Sequence, residues 1–192
     1  MGTQLAFAWR RTEATERFID QVLSQPNLTT LEKAPVYITK IGKLTTSDMS
    51  QEDAVQTCFA ALHDLGLSPG SMLTLPVRFS CDFFDYSTDK GDAKREIQYP
   101  ASPQRPSSDE AIMTILFRLS YAAYMVKTNV VVMWATNQMV EITLQRGVTT
   151  VSCVAFSTLG MLAAVAKKDY EAATFFFGHG PPFAENCTIQ VQ

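Results

Sequence analysis

Charge is scarce in this chain. Of its 192 residues only 18% are charged, and the formal net charge is −3. A protein that grips nucleic acid through its phosphates is ordinarily basic, so that class is excluded at the outset. Side chains that handle metals and protons are equally few. There are two histidines, His63 and His179, and four cysteines, Cys58, Cys81, Cys153 and Cys187, with no C-x-x-C pair among them. Such spacing suits neither a zinc site nor a compact disulfide framework, and the cysteines read as reduced thiols. The chain also lacks G-x-S-x-G, H-E-x-x-H and the dinucleotide fingerprint, and so offers no nucleophile–base pair. Its first residues put Arg10 and Arg11 after the apolar stretch, the reverse of a secretory signal, so a cytoplasmic protein is expected. Gly2 is followed by Ala6 where a myristoylation motif needs Ser or Thr. The sequons at Asn27 and Asn186 are short enough to arise by chance.

What the chain has in quantity is apolar surface. Hydrophobic residues make up 46% of it, enough to bury a core and to exclude a wholly disordered protein. Their spacing is helical in two blocks. Within residues 12–25, Phe18, Ile19, Val22 and Leu23 form a one-sided stripe, closed by Pro26. Residues 31–45 continue it with Leu31, Ala34, Ile38 and Ile41, and Pro35 is expected in the first turn. Ser50 and Asp53 have the spacing of a capping box, and Gly66 stands where a left-handed stop belongs.

From 67 to 107 the helical period fails, punctuated by Pro69, Pro76, Pro100, Pro103 and Pro106. A partly packed excursion is expected there. Regular helix resumes at a second capping box, Ser107–Glu110, and is expected over 108–126, 130–145 (closed by Gly147) and 150–166. A turn at Lys167–Asp169 then leads to a last helix over 170–177, and residues 178–192 read as a tail.

One stretch invites another reading. Val148 to Ala166 carries no charge, and its mean hydropathy of roughly +1.8 is in the range of a membrane span. Its six Ser, Thr and Gly residues, with Arg118, Asn137, Gln138 and Glu141 in the preceding helices, favour a helix buried by protein neighbours. Other candidate sites are weaker still. Cys58 and His63 are spaced badly for one helical face. Asp82, Asp85 and Asp89 match no calcium loop. Gly66 to Gly70 lacks the ending of a phosphate loop. Phe175 to Phe177 is a packing seam or, if exposed, a partner site. No catalytic, cofactor-binding or metal-binding residue is nominated, and an unrecognised enzyme is the lesser alternative.

Two segments share a plan. Leu31 to Leu65 and Val151 to Phe177 each read as helix, short turn, helix, and Lys168-Asp-Tyr-Glu-Ala-Ala173 is similar to the turn and second-helix start of a tetratricopeptide-like hairpin. The order Arg17 to Leu23, Leu31 to Tyr37, Glu52 to Gly66 and Ser108 to Gly147 resembles the tetratricopeptide-like helical region that follows the ATPase domain in AAA/STAND-type signalling proteins, many of them sensor or histidine kinases. That resemblance implies an all-α αα-hairpin array interrupted by the 67–107 segment, between helical blocks 1–66 and 108–177. It implies a non-catalytic interaction module without cofactor, a piece or descendant of a larger signalling protein, whose partner is a protein such as an ATPase or kinase domain. The ATPase and kinase motifs themselves are not in the chain, so no catalytic residue carries over.

Overall fold

The structure, a computed structural model, describes residues 14–46, 50–68 and 108–179. All regular structure among them is helical. Helix α1 covers 14–23. It is followed by α2 (Thr30–Thr45), α3 (Gln51–Asp64), α4 (Ser108–Met125), α5 (Asn129–Arg146), α6 (Ser152–Leu162) and α7 (Tyr170–His179). A π-helical turn, Ala163–Lys167, continues α6. Of the 67–107 excursion all but residues 67 and 68, and of the 178–192 tail all from 180 onward, lie outside the described residues.

Local chemistry explains where these helices begin and end. Thr29 and Glu32 form a complete capping box: Thr29 Oγ1 accepts from the Glu32 N–H, and the Glu32 carboxylate accepts from the Thr29 N–H at 2.8 Å. Starting there, α2 takes Pro35 into its second turn and not its first, so the ring costs a backbone hydrogen bond that a first-turn position would have spared. Ser50 does occupy the N-cap of α3, but its side chain makes no capping bond. Its ψ of 19° is outside the extended range that aims the hydroxyl at the first turn. The side chain of Gln51 reaches back instead, donating to the Thr45 carbonyl at 2.9 Å. Gly66 has φ +84° as expected, and the Gly66 and Leu67 amides return to His63 and Leu62 in a Schellman motif. An identical closure ends α4, where Lys127 holds φ 58° and Lys127 and Thr128 bond back to Tyr124 and Ala123. Gly147 closes α5. The helix expected over 150–166 starts at Ser152 and leaves α geometry at Ala163. Asp169 then caps α7, accepting from the Ala172 N–H at 2.9 Å.

Successive helices turn back on one another. Lys40 meets Asp20 at 3.2 Å and Lys43 meets Glu16 at 2.7 Å, which sets α1 antiparallel to α2. Tyr37 donates to Asp64 at 2.8 Å, joining the middle of α2 to the end of α3. Arg146, at the end of α5, pairs with Asp109 in the first turn of α4. Each helix packs mainly against its neighbours in sequence, and α4 also lies along α2 and touches α6. Helices α2 and α4 run parallel. Leu31 to Ile38 face Glu110 to Thr114, and further along both helices Gly42 meets Arg118.

The core runs through all these layers. Ile41 from α2 and Cys58 and Leu62 from α3 are sealed with Met113, Leu116 and Leu119 of α4. Trp134, Met139 and Val140 of α5 join Phe156 and Leu159 of α6 and Phe176 of α7. Phe59 and Trp134 meet with ring centroids 6.0 Å apart. Between α5 and α6 the buried hydroxyls of Thr143 and Ser152 are 2.8 Å apart, and Ser152 also accepts from the Thr149 N–H. Of the α1 stripe only Ile19 is buried, while Phe18 faces outward. Among the described residues no helix is long and apolar enough to cross a membrane.

Candidate functional site: the α2–α4 face

The side chains that sequence reading picked out are not assembled into a centre. His63 is exposed on α3, its nearest carboxylate being Asp64 at 3.9 Å. Cys58, five residues earlier, is buried on the other side of that helix. Burial pushes its thiol up to about 12, partly opposed by the nearby Arg118 guanidinium, so it is a core residue and not a thiolate nucleophile. Phe175 and Phe176 pack edge to face at 5.6 Å, Phe176 is buried, and only Phe177 is largely exposed. The trio is a packing seam with one free end. Asp82, Asp85, Asp89 and Gly70 lie outside the described residues, as does the side chain of His179. Among the described residues no three of His, Cys, Asp or Glu are grouped so as to hold a metal ion.

The surface feature that does stand out was not nominated from sequence. Helix α4 is apolar nearly all round. Ile112, Leu116, Leu119 and Ala123 face the core, yet Phe117, Tyr121, Tyr124 and Met125 face outward, Tyr124 being 62% exposed. Their spacing, i, i+4, i+7 and i+8, places them along one side of the helix. Beside that stripe a groove of about 460 Å³ opens between the first halves of α2 and α4. Leu31, Pro35 and Ile38 form one wall, and Glu110, Ala111 and Thr114 the other. By contrast, apart from Ala60 the exposed residues of α3 (Glu52, Asp53, Gln56, His63 and Asp64) are polar or charged. The exposed faces of α3 and α4 are therefore chemically unlike.

Beyond the residues that line the groove, one turn past Thr114 on α4, stands Arg118. Its guanidinium lies against Gly42, so closely that a Cβ built there would be 3.2 Å from Nη1. The side chain is half-buried, and its Nε is buried without a hydrogen-bond partner. No carboxylate pairs with it among the described residues. Leaving a buried donor unbonded costs about 1–3 kcal/mol, more when it is charged, and such groups in folded chains ask for a reason. In the sequence, Arg118 stood out only as a charge interrupting an apolar helix. What could have flagged the face was a second apolar stripe, Phe117–Tyr121–Tyr124, opposite the core-facing one.

No family model, curated protein or solved structure matches this chain.

Proposed function

We propose that this chain is a non-catalytic protein-interaction module, built as a tetratricopeptide-like array of αα-hairpins, and that its partner lies on the α2–α4 face. The observation that carries the reading is the exposed aromatic stripe of α4 beside an open apolar groove. Monomeric proteins seldom leave contiguous apolar patches of this kind without a use for them. The array reading draws support from the packing order. Taking α2/α3, α4/α5 and α6/α7 as hairpins, α2 and α4 are the parallel first helices of two successive units, and packing passes from each hairpin to the next. Stacked units of this type bury their cores against neighbours and leave the first helices lining a shared surface. An ATPase or kinase domain is the partner class to which the sequence resemblance points.

The test is direct. A phage-displayed library of random dodecapeptides is panned against the full chain, and enriched peptides are re-measured on Phe117→Ser and Tyr121→Ser variants. Peptides that bind the parent and lose affinity for both variants support the reading. Failure to enrich any peptide, or binding indifferent to both substitutions, ends it.

A further inference from the structure

We infer that the α2–α4 groove takes an apolar peptide segment carrying a lysine or arginine, and that Glu110 receives its cation. The inference rests on the interaction reading above and adds the chemistry of the partner. It follows from what the groove walls can and cannot bond. Leu31, Ala34, Pro35, Ile38 and Ala111 offer apolar side chains only. The Thr114 hydroxyl is spent on its own helix, donating to the Glu110 carbonyl at 2.9 Å. The lining side chains therefore hold no free hydrogen-bond donor for an occupant.

Acceptors, by contrast, stand on both walls. On α4, Glu110 is half-buried and is the one charged residue that lines the groove. The N-terminus of a helix favours an acidic residue, but Asp109 already supplies one there and holds Arg146. No cation pairs with Glu110 among the described residues. On α2, Pro35 has no N–H, so the Leu31 carbonyl lacks the donor that an α-helix would give it from that position. Leu31 and Pro35 both line the groove. Covering a carboxylate with apolar groups is costly unless a donor comes with them, and a charged donor makes the stronger bond. An anionic occupant would meet a like charge and no side-chain donor. The complementary segment therefore seats apolar side chains against Leu31, Pro35 and Ile38 and sets one basic residue at Glu110. A second copy of this chain is the rival occupant.

The experiment uses the peptides enriched on the full chain, measured by fluorescence anisotropy against the parent, Glu110→Gln and Glu110→Lys. Glutamine keeps the size of the side chain and removes its charge; far-UV circular dichroism and thermal melting verify the fold before binding is scored. Expected are peptides that share a basic residue and bind Glu110→Gln weaker by about tenfold or more. Their affinity for the parent should fall with added salt more steeply than their affinity for Glu110→Gln. Replacing the peptide's Lys or Arg by Glu should abolish binding to the parent and restore part of it on Glu110→Lys. Enriched peptides without a basic residue, or equal affinity for parent and Glu110→Gln, overturn the cation assignment and leave the interaction module standing. No enriched peptide at all removes both. A concentration-dependent dimer that Glu110→Gln dissolves would seat a second copy in the groove and overturn the peptide assignment.

Discussion

Two glycines inside helices make opposite predictions for the same substitution. Replacing an interior helical glycine by alanine ordinarily stabilises a protein by about 0.5–1 kcal/mol, because the unfolded chain loses freedom. At Gly42 the added methyl would be 3.2 Å from Arg118 Nη1, the far end of a long side chain that can swing aside by a few tenths of an ångström. Gly42→Ala should therefore keep most of that gain. At Gly160 the methyl would be 3.2 Å from the carbonyl oxygen of Ala173 and 3.2 Å from the Phe177 ring. The exposed ring can move; the carbonyl belongs to α7 and can retreat only if the whole helix does. Overfilling a packed contact costs about 1–3 kcal/mol. Gly160→Ala should thus lose about 1 kcal/mol net, a fall of about 3 °C in Tm for a chain of this size. Urea and thermal unfolding followed by circular dichroism give both numbers. If Gly160→Ala stabilises as much as Gly42→Ala, α6 and α7 are not in the close contact described, and the argument fails.

Other expectations follow from single residues. Lys127 pays a steric penalty at φ 58°, so Lys127→Gly should stabilise by about 1 kcal/mol in the same melts, and an unchanged or lowered stability would count against the left-handed closure of α4. Thr29→Ala removes the side-chain half of the α2 cap and should cost about 1 kcal/mol; a neutral result would show α2 starting elsewhere. Alkaline pH should weaken the fold. Tyr37 is raised to about 12 from 10.0, first by burial and then by its bond to Asp64, and the Cys58 thiol is raised to about 12 from 9.0 by burial. Both groups ionise more readily unfolded, so their contribution is complete below pH 9 and is lost as pH rises toward 12, visible as a falling urea midpoint. A midpoint flat across that range would refute both burials.

Helical periodicity made the elements legible: residues 14–23, α2, α3, α4, α5 and α7 lie where apolar spacing and breakers put them. Gly66 and Gly147 were readable because a glycine at the end of an apolar period has few other uses. The closure at Lys127 was not readable, because nothing in a lysine announces a positive φ, and tertiary packing overrode its preference. Thr29 and Glu32 carried a legible capping signal that the apolar count, begun at Leu31, stepped over, and Pro35, the sixth residue of α2, lies past the first turn from either start. The π turn at 163–167 left no trace in a run of alanines and valine, which any helix accepts. The candidate face was hidden for another reason. Periodicity finds the stripe that a helix buries, and α4 carries two. Only the placement of α2 and α3 around it decides which stripe is left outside, and that information is shared among residues far apart in the chain.

The π turn has a consequence for length. A π turn holds one residue more than an α turn, and each helical residue advances the chain by about 100° around its axis. The five residues Ala163–Lys167 therefore aim the exit from α6 as well as extending it, and Lys168, left-handed at φ 56°, sends the chain back from that azimuth. Had all five residues wound as plain α-helix, the extra residue would have carried the exit from α6 further round its axis, and Ala173 would no longer arrive opposite Gly160. The direction of the last hairpin is thus kept by the widened turn, which takes up one extra residue without swinging the exit.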